Sequence, residues 1–226
     1  MTQPDGAEIA RRAAARAALP FVEAGTVVGV GTGRAASAFV EMLATAAVRP
    51  RAAVASSAAT AEMLRAAGVE VSDLPADGRL PLYVDGADLA DQELRLLKGR
   101  GGALAREKVL ASAAALFVCI VEQDKMVGRL AGPVPIEVLP MAARYVMREL
   151  DALGATCVPR RGALTDNGNV IIDADGLDAS DPARLECDLS SIAGVVDSGI
   201  FARRPADVLF AGSSDGSVRH LVRAGG

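Results

Sequence analysis

The chain has 226 residues, 51% of them hydrophobic but only 3% aromatic, with no Trp. That length suits one large domain, or one domain with a smaller insert, around an aliphatic core. A net charge of −4 leaves no electrostatic footprint for nucleic acid, no apolar run is long enough for a bilayer, and His220, the one histidine, excludes a His-rich metal site.

Asp5–Leu19 reads as a helix, ended by Pro20 and Gly25. Thr26–Gly31 is a β-branched run with the continuous apolarity of a strand buried on both faces. Gly31-Thr32-Gly33 then turns into a helix reaching about Leu43. A strand at Ala52–Ala55, a helix at Ala58–Ala67 and a strand at Val69–Ser72 follow. Leu80–Val84 makes a fourth strand, Glu107–Ala114 a helix and Leu116–Glu122 a fifth strand. Strands alternating with helices imply an α/β fold with a parallel, doubly wound, Rossmann-like sheet.

The rhythm changes around Gly132-Pro133-Val134-Pro135. Ile136–Leu139, a helix over Met141–Leu153 and Ala155–Pro159 form one β-α-β set. Thr165-Asp166-Asn167-Gly168-Asn169 has the turn chemistry of a hairpin or strand entry. Val170–Asp173, a helix from Pro182 to Ile192 and Val195–Ala202 complete a second set. This unit is an inserted α+β, ferredoxin-like domain over residues 132–204. The Rossmann-like domain takes residues 1–131 plus 205–226, with Ala206–Ala211 as a returning buried strand.

Cys119, Cys157 and Cys187 are far apart and lack CxxC spacing, which reads as reduced, mostly buried thiols of a cytoplasmic protein. The first residues carry Asp5, Glu8, Arg11 and Arg12, without the apolar stretch of a signal peptide.

With histidine scarce, acid/base chemistry falls to carboxylates and lysines. Asp85 and Asp88 stand where a buried strand becomes a loop, the ligand edge of such sheets. Each also reads as an Asx-turn or helix cap. Lys98 lies in a glycine cluster (Gly99, Gly101, Gly102), and Arg106-Glu107-Lys108 opens a helical pattern. Alone, these are a loop lysine and a charged first turn; converging on one sheet edge, they make an acid/base set. Gly29-Val30-Gly31-Thr32-Gly33 suits either a phosphate at a helix N-terminus or a tight strand–helix turn. A dinucleotide fingerprint fails, because Arg34 takes the place of its last glycine and Ser56-Ser57 that of the ribose-binding acid.

The segments GVGTG, SSAATAEMLRAAGV, YVDGAD, LKGRGGALAREK, PIEVLPMA, TDNGNVIID, IAGVV, LFA and DG resemble, in order and spacing, ribose-5-phosphate isomerase of the A type. The resemblance implies interconversion of ribose 5-phosphate and ribulose 5-phosphate without metal or organic cofactor. It also implies no nucleic-acid or membrane partner, and assembly as homodimers or homotetramers, with the inserted domain as lid or subunit contact.

Carried over by motif, Glu107 matches the catalytic base, and Asp85, Asp88 and Lys98 the sugar-binding and ring-opening positions. Thr32, Gly33, Arg34 and Ala35 match the phosphate loop. Gly86, Ala87, Gly99, Arg100 and Gly101 line the substrate, with Lys125 a further binding position and Arg11 a basic group for the phosphate. The departures are Arg34-Ala35 for the usual Ser-Thr, Arg100 for a glycine and Leu89 for an acid. They leave a shifted sugar-phosphate substrate, or a sugar-phosphate-sensing module, as alternatives.

Overall fold

The structure is a computed structural model and describes residues 5–162 and 164–223. In chain order it opens with α1 (Gly6–Ala18), β1 (Val27–Val30), α2 (Arg34–Thr45), β2 (Ala52–Ala55), α3 (Ala58–Ala66) and β3 (Leu80–Asp85). Next come β4 (Leu89–Ala90), β5 (Leu96–Leu97), α4 (Leu104–Ala113), β6 (Ala114–Glu122) and β7 (Val134–Val138). The rest is α5 (Ala143–Ala152), β8 (Thr156–Pro159), β9 (Val170–Asp175), α6 (Pro182–Ser190), β10 (Val195–Ser198), β11 (Ile200–Phe201), β12 (Val208–Gly212) and β13 (Val218–Val222).

Two compact units result. Unit 1 comprises Met1–Ala87, Val109–Met126 and Ala206–Gly226; unit 2 comprises Asp88–Lys108 and Val127–Pro205. Residues 88–108, expected with the first domain, group with the later segment.

Unit 1 carries a six-stranded sheet in the order β13-β12-β6-β3-β1-β2. Five strands run parallel and β13 pairs antiparallel with β12. β1 is buried along its whole length, as expected of a strand covered on both faces. Its neighbours are β2 on one side and β3 on the other, so the winding reverses between β1 and β3. Loops leaving strands at such a reversal frame the ligand crevice of α/β sheets. The core is aliphatic around Phe39, with Leu43, Val28, Val84 and Ile120 fully buried. The Asp5 carboxylate caps α1 at Glu8 N (2.6 Å), and Ser57 caps α3 at Thr60 N (3.1 Å), satisfying helix-end donors.

Unit 2 holds a four-stranded antiparallel sheet, β10-β7-β9-β8. With α5 and α6 between its strands, it has the β-α-β-β-α-β order of a ferredoxin-like unit. A second, three-stranded sheet, β11-β5-β4, holds the Asp88–Lys98 segment.

Four expectations need correction. Val69–Ser72 is not a strand. Only Val71 bridges to Ala53, and Pro75 soon follows, a residue that cannot donate to a ladder. Val195–Ala202 breaks at Gly199 into β10 and β11, which belong to different sheets. β4, β5 and β13 were not anticipated, the first two being too short for a period to show. Finally, Cys187 is exposed and Cys157 half-buried, only Cys119 being in the core. His220 is exposed and sits on β13 with its ring stacked on Phe210 at 4.7 Å.

Among the described residues no helix is long and apolar enough to cross a membrane.

Candidate active site

At the carboxyl edge of unit 1, Gly31 donates its N–H to Val84 O (2.9 Å), tying the β1 loop to β3. A Cβ on Gly31 would fall 1.8 Å from Oδ1 of Asp85, so only glycine lets the carboxylate lie against this loop. Asp85 is fully buried. Its Oδ1 accepts from Thr32 N (3.2 Å) and Gly86 N (2.7 Å), and its Oδ2 from the Tyr83 hydroxyl. Three donors satisfy the buried charge and make Asp85 a brace for the loop.

The Thr32 hydroxyl turns into a cluster missed in the sequence. It lies 2.7 Å from Ser56 Oγ, 2.8 Å from Ser57 Oγ and 3.2 Å from Thr60 Oγ1. Thr60 Oγ1 in turn donates to Gly31 O (2.8 Å). The two serines that fail a nucleotide fingerprint therefore stiffen the loop. Hydroxyls are common at helix starts, so only their convergence on Thr32 marks them.

Gly33 caps α2 with φ 105° and no side-chain acceptor. The first N–H groups of a helix have no intrahelical partners, so the turn through Arg34 and Ala35 presents donors at the positive end of α2. Arg34 is exposed and, among the described residues, has no hydrogen-bond or ion-pair partner. Ala35 is half-buried; its Cβ lies 3.1 Å from where a Cβ on Gly86 would sit. Ala87 ends this edge half-buried, and Lys125 closes a 3-10 turn after β6, with Asp124 3.8 Å away. Arg11 is not a free cation. It pairs with Glu122 at 2.9 Å, both side chains largely buried.

In unit 2, Asp88 donates its N–H to Leu97 O (2.8 Å), and its Oδ2 accepts from Arg100 N (3.0 Å). Lys98 donates its N–H to Gly199 O (2.8 Å), and its Nζ lies 3.3 Å from Glu107 Oε2. Only 3% and 5% of these two side chains are exposed, so the pair is withdrawn from screening by water. The Lys98 ammonium also lies over the Phe201 ring, 5.6 Å from its centroid. Glu107 sits in the first turn of α4, its N–H bonded to Ala103 O (2.9 Å).

The Lys98–Gly101 loop is held from beneath by Arg160, which donates to Gly99 O (2.8 Å) while paired with Asp173. Gly99 takes φ 112°, whereas Gly101 and Arg100 have negative φ, so the arginine introduces no backbone strain. Its side chain is 77% exposed, with Nε 3.7 Å from Asp88 Oδ1. Asp88, Arg100, Arg160 and Asp173 line a cavity of about 420 Å³ in this unit.

Unit 1 thus gathers a rigid, donor-rich loop, and unit 2 a buried carboxylate against a buried ammonium. The first suits an anion such as phosphate, the second a proton transfer at carbon with charge developing on oxygen. Among the described residues no group of three His, Cys, Asp or Glu side chains is placed to hold a metal.

The family model of ribose 5-phosphate isomerase A (phosphoriboisomerase A) matches residues 52–216. The chain belongs to this family. Ribose-5-phosphate isomerase A from Acidithiobacillus ferrooxidans is 49% identical over 211 residues, 92% of this chain and 95% of its own length. The crystal structure of ribose 5-phosphate isomerase A from Neisseria gonorrhoeae superposes with a TM-score of 0.91 at 36% identity, covering 95% of this chain and 96% of that one. A D-ribose-5-phosphate isomerase solved in complex with phospho-erythronic acid gives 0.90 at 33%, over 98% and 100%. The segments VDGAD, KGRG and REK of this chain form the Asp85 brace, the Lys98 loop and the first turn of α4.

Proposed function

We propose that this chain interconverts ribose 5-phosphate and ribulose 5-phosphate through an enediolate, with Glu107 as the base. The observation that carries the reading is the buried Lys98–Glu107 pair at 3.3 Å. Asp88 assists opening of the sugar ring, since the Asp85 carboxylate accepts from Thr32, Gly86 and Tyr83. Glu107 then removes the proton from C2 of the open aldose. The C2–H electron pair forms the C1–C2 double bond, and negative charge gathers on oxygen beside the Lys98 ammonium. The proton of the C2 hydroxyl passes to the O1 oxyanion, and return of the abstracted proton from Glu107 to C1 gives the ketose. A fixed ammonium that need not reorganise is an effective stabiliser of such charge.

The N–H groups at the start of α2 hold the phosphate, joined by Arg34 and Lys125. That a relative is solved in complex with phospho-erythronic acid supports a phosphorylated substrate. That ligand bears a planar carboxylate at one end and a phosphate at the other, the charge pattern of a phosphorylated enediolate. Homodimers or homotetramers belong to the same proposal, supported by the exposed apolar side chains Leu139, Met141 and Tyr145.

Turnover of ribose 5-phosphate in heavy water tests the chemistry. Deuterium at C1 of the ribulose 5-phosphate formed is expected, because the abstracted proton exchanges on a carboxylate before return. Conversion without label, at C1 of the ketose formed or at C2 of the aldose formed in reverse, argues for a hydride shift instead. The exposed Arg34 and Arg100 favour a second reading, a related aldose phosphate as the better substrate. A panel of aldose phosphates separates the two by kcat/KM.

A further inference from the structure

Glu107 stands between two cations, Arg106 and Lys108, and each is tied to a different part of unit 2. Successive helical residues point about 100° apart, so the three side chains diverge. Lys108 Nζ reaches Glu186 (2.9 Å), Asp197 (2.7 Å) and the Ile200 carbonyl (2.8 Å). Arg106 donates from Nε to Asn167 Oδ1 (2.7 Å) and from a terminal nitrogen to the Asp166 carbonyl (2.9 Å).

The loop that receives Arg106 is organised by a buried charge. Glu137, in the middle of β7, is fully buried. Its Oε1 accepts from Thr165 Oγ1 (2.9 Å), Asn167 Nδ2 (2.9 Å) and Asn169 Nδ2 (2.8 Å). A carboxylate at such a depth is costly to desolvate and needs the donors of this loop. Its consequence is directional. A carboxylate only accepts, so it fixes which end of the Asn167 amide faces inward. The amide oxygen is left pointing outward, where Arg106 takes it. The PIE, TDNGN and REK segments are therefore one hydrogen-bonded chain, buried at Glu137 and ending one residue from Glu107.

We propose that Arg106 is a positioning residue for Glu107, held by Asn167 and behind it by Glu137. This rests on the reading of Glu107 as the base. The first turn of a helix is prone to fray, and a misplacement of about 1 Å at a reacting group costs about a hundredfold in rate. The Arg106 fork pins that turn on one flank, as Lys108 does on the other.

The test uses Arg106→Ala for kinetics and folding together, because it leaves the donors of Glu137 in place, and Asn167→Ala for kcat, because it also removes one of those donors. Arg106→Ala should lower kcat for ribose 5-phosphate roughly tenfold or more, with KM within about twofold and the unfolding midpoint little changed. Arg106→Lys keeps the charge but not the fork, and should recover little. Asn167→Ala should resemble Arg106→Ala, and the double variant should be no slower than the slower single. Parent-like kcat in Arg106→Ala, alongside an inactive Glu107→Gln, overturns this inference and leaves the base in place. An active Glu107→Gln overturns the base itself. Full recovery in Arg106→Lys, or an acid limb of the kcat profile that moves with charge at residue 106, shows an electrostatic effect and also overturns it. So does a kcat loss that appears only together with a lowered unfolding midpoint.

Discussion

Asp85 is legible by position, and the structure adds a bracing role that its position alone does not show. Its place at the end of a buried strand marks it in the sequence, yet its carboxylate is spent on Thr32, Gly86 and Tyr83. Gly31 is its complement. In Gly31→Ala the new methyl meets the carboxylate, so Asp85 must rotate away and release both loop N–H groups. Overpacking of this kind costs about 1–3 kcal/mol. The expected outcome is a lower denaturant midpoint together with a raised KM for ribose 5-phosphate; an unchanged midpoint would show that the loop yields. The acids, Lys98 and the glycines were legible because few residue types do their work. Ser56, Ser57, Thr60 and Tyr83 were not, since nothing in a hydroxyl distinguishes a cap from a brace until the chain folds. Arg100 was legible as a departure, and its negative φ is open to any residue.

At the scale of elements, continuous apolar runs such as β1 and β6 could be read because strands buried on both faces need no alternation. The two-residue strands β4 and β5 offered no pattern, and the β10–β11 run read as one strand because β-branched and aromatic residues flank Asp197-Ser198-Gly199 on both sides. That glycine is where the chain passes between sheets. Its N–H donates to Pro135 O (2.7 Å), its carbonyl accepts from Lys98 N, and a Cβ there would lie 2.1 Å from the Lys98 carbonyl oxygen. Backbone cannot yield as a flexible side chain does. Gly199→Ala is therefore expected to destabilise by about 1–3 kcal/mol and to lower kcat by displacing Lys98. Thermal unfolding and steady-state kinetics check the two effects, and parent-like values in both would contradict this account of the crossing.

At the scale of the whole molecule, the doubly wound sheet and the ferredoxin-like unit followed from the order of strands and helices. The grouping of residues 88–108 with unit 2 did not, because it depends on β5 pairing with β11, more than a hundred residues later. The same distance hid the link between Glu137, the 165–169 loop and Arg106. Each motif was visible alone, but a buried carboxylate in a strand reads as an ordinary polar position until its donors arrive. What both units serve, in this account, is proton removal by Glu107 beside Lys98. Glu107→Gln keeps the shape and cannot take the proton, and general-base catalysis contributes about 10²–10⁴ in rate. The direct measurement is kcat and KM of Glu107→Gln for ribose 5-phosphate. A kcat at least about a hundredfold below the parent with KM within about twofold is predicted; a kcat within about tenfold, a barrier change of only about 1.4 kcal/mol, would contradict it.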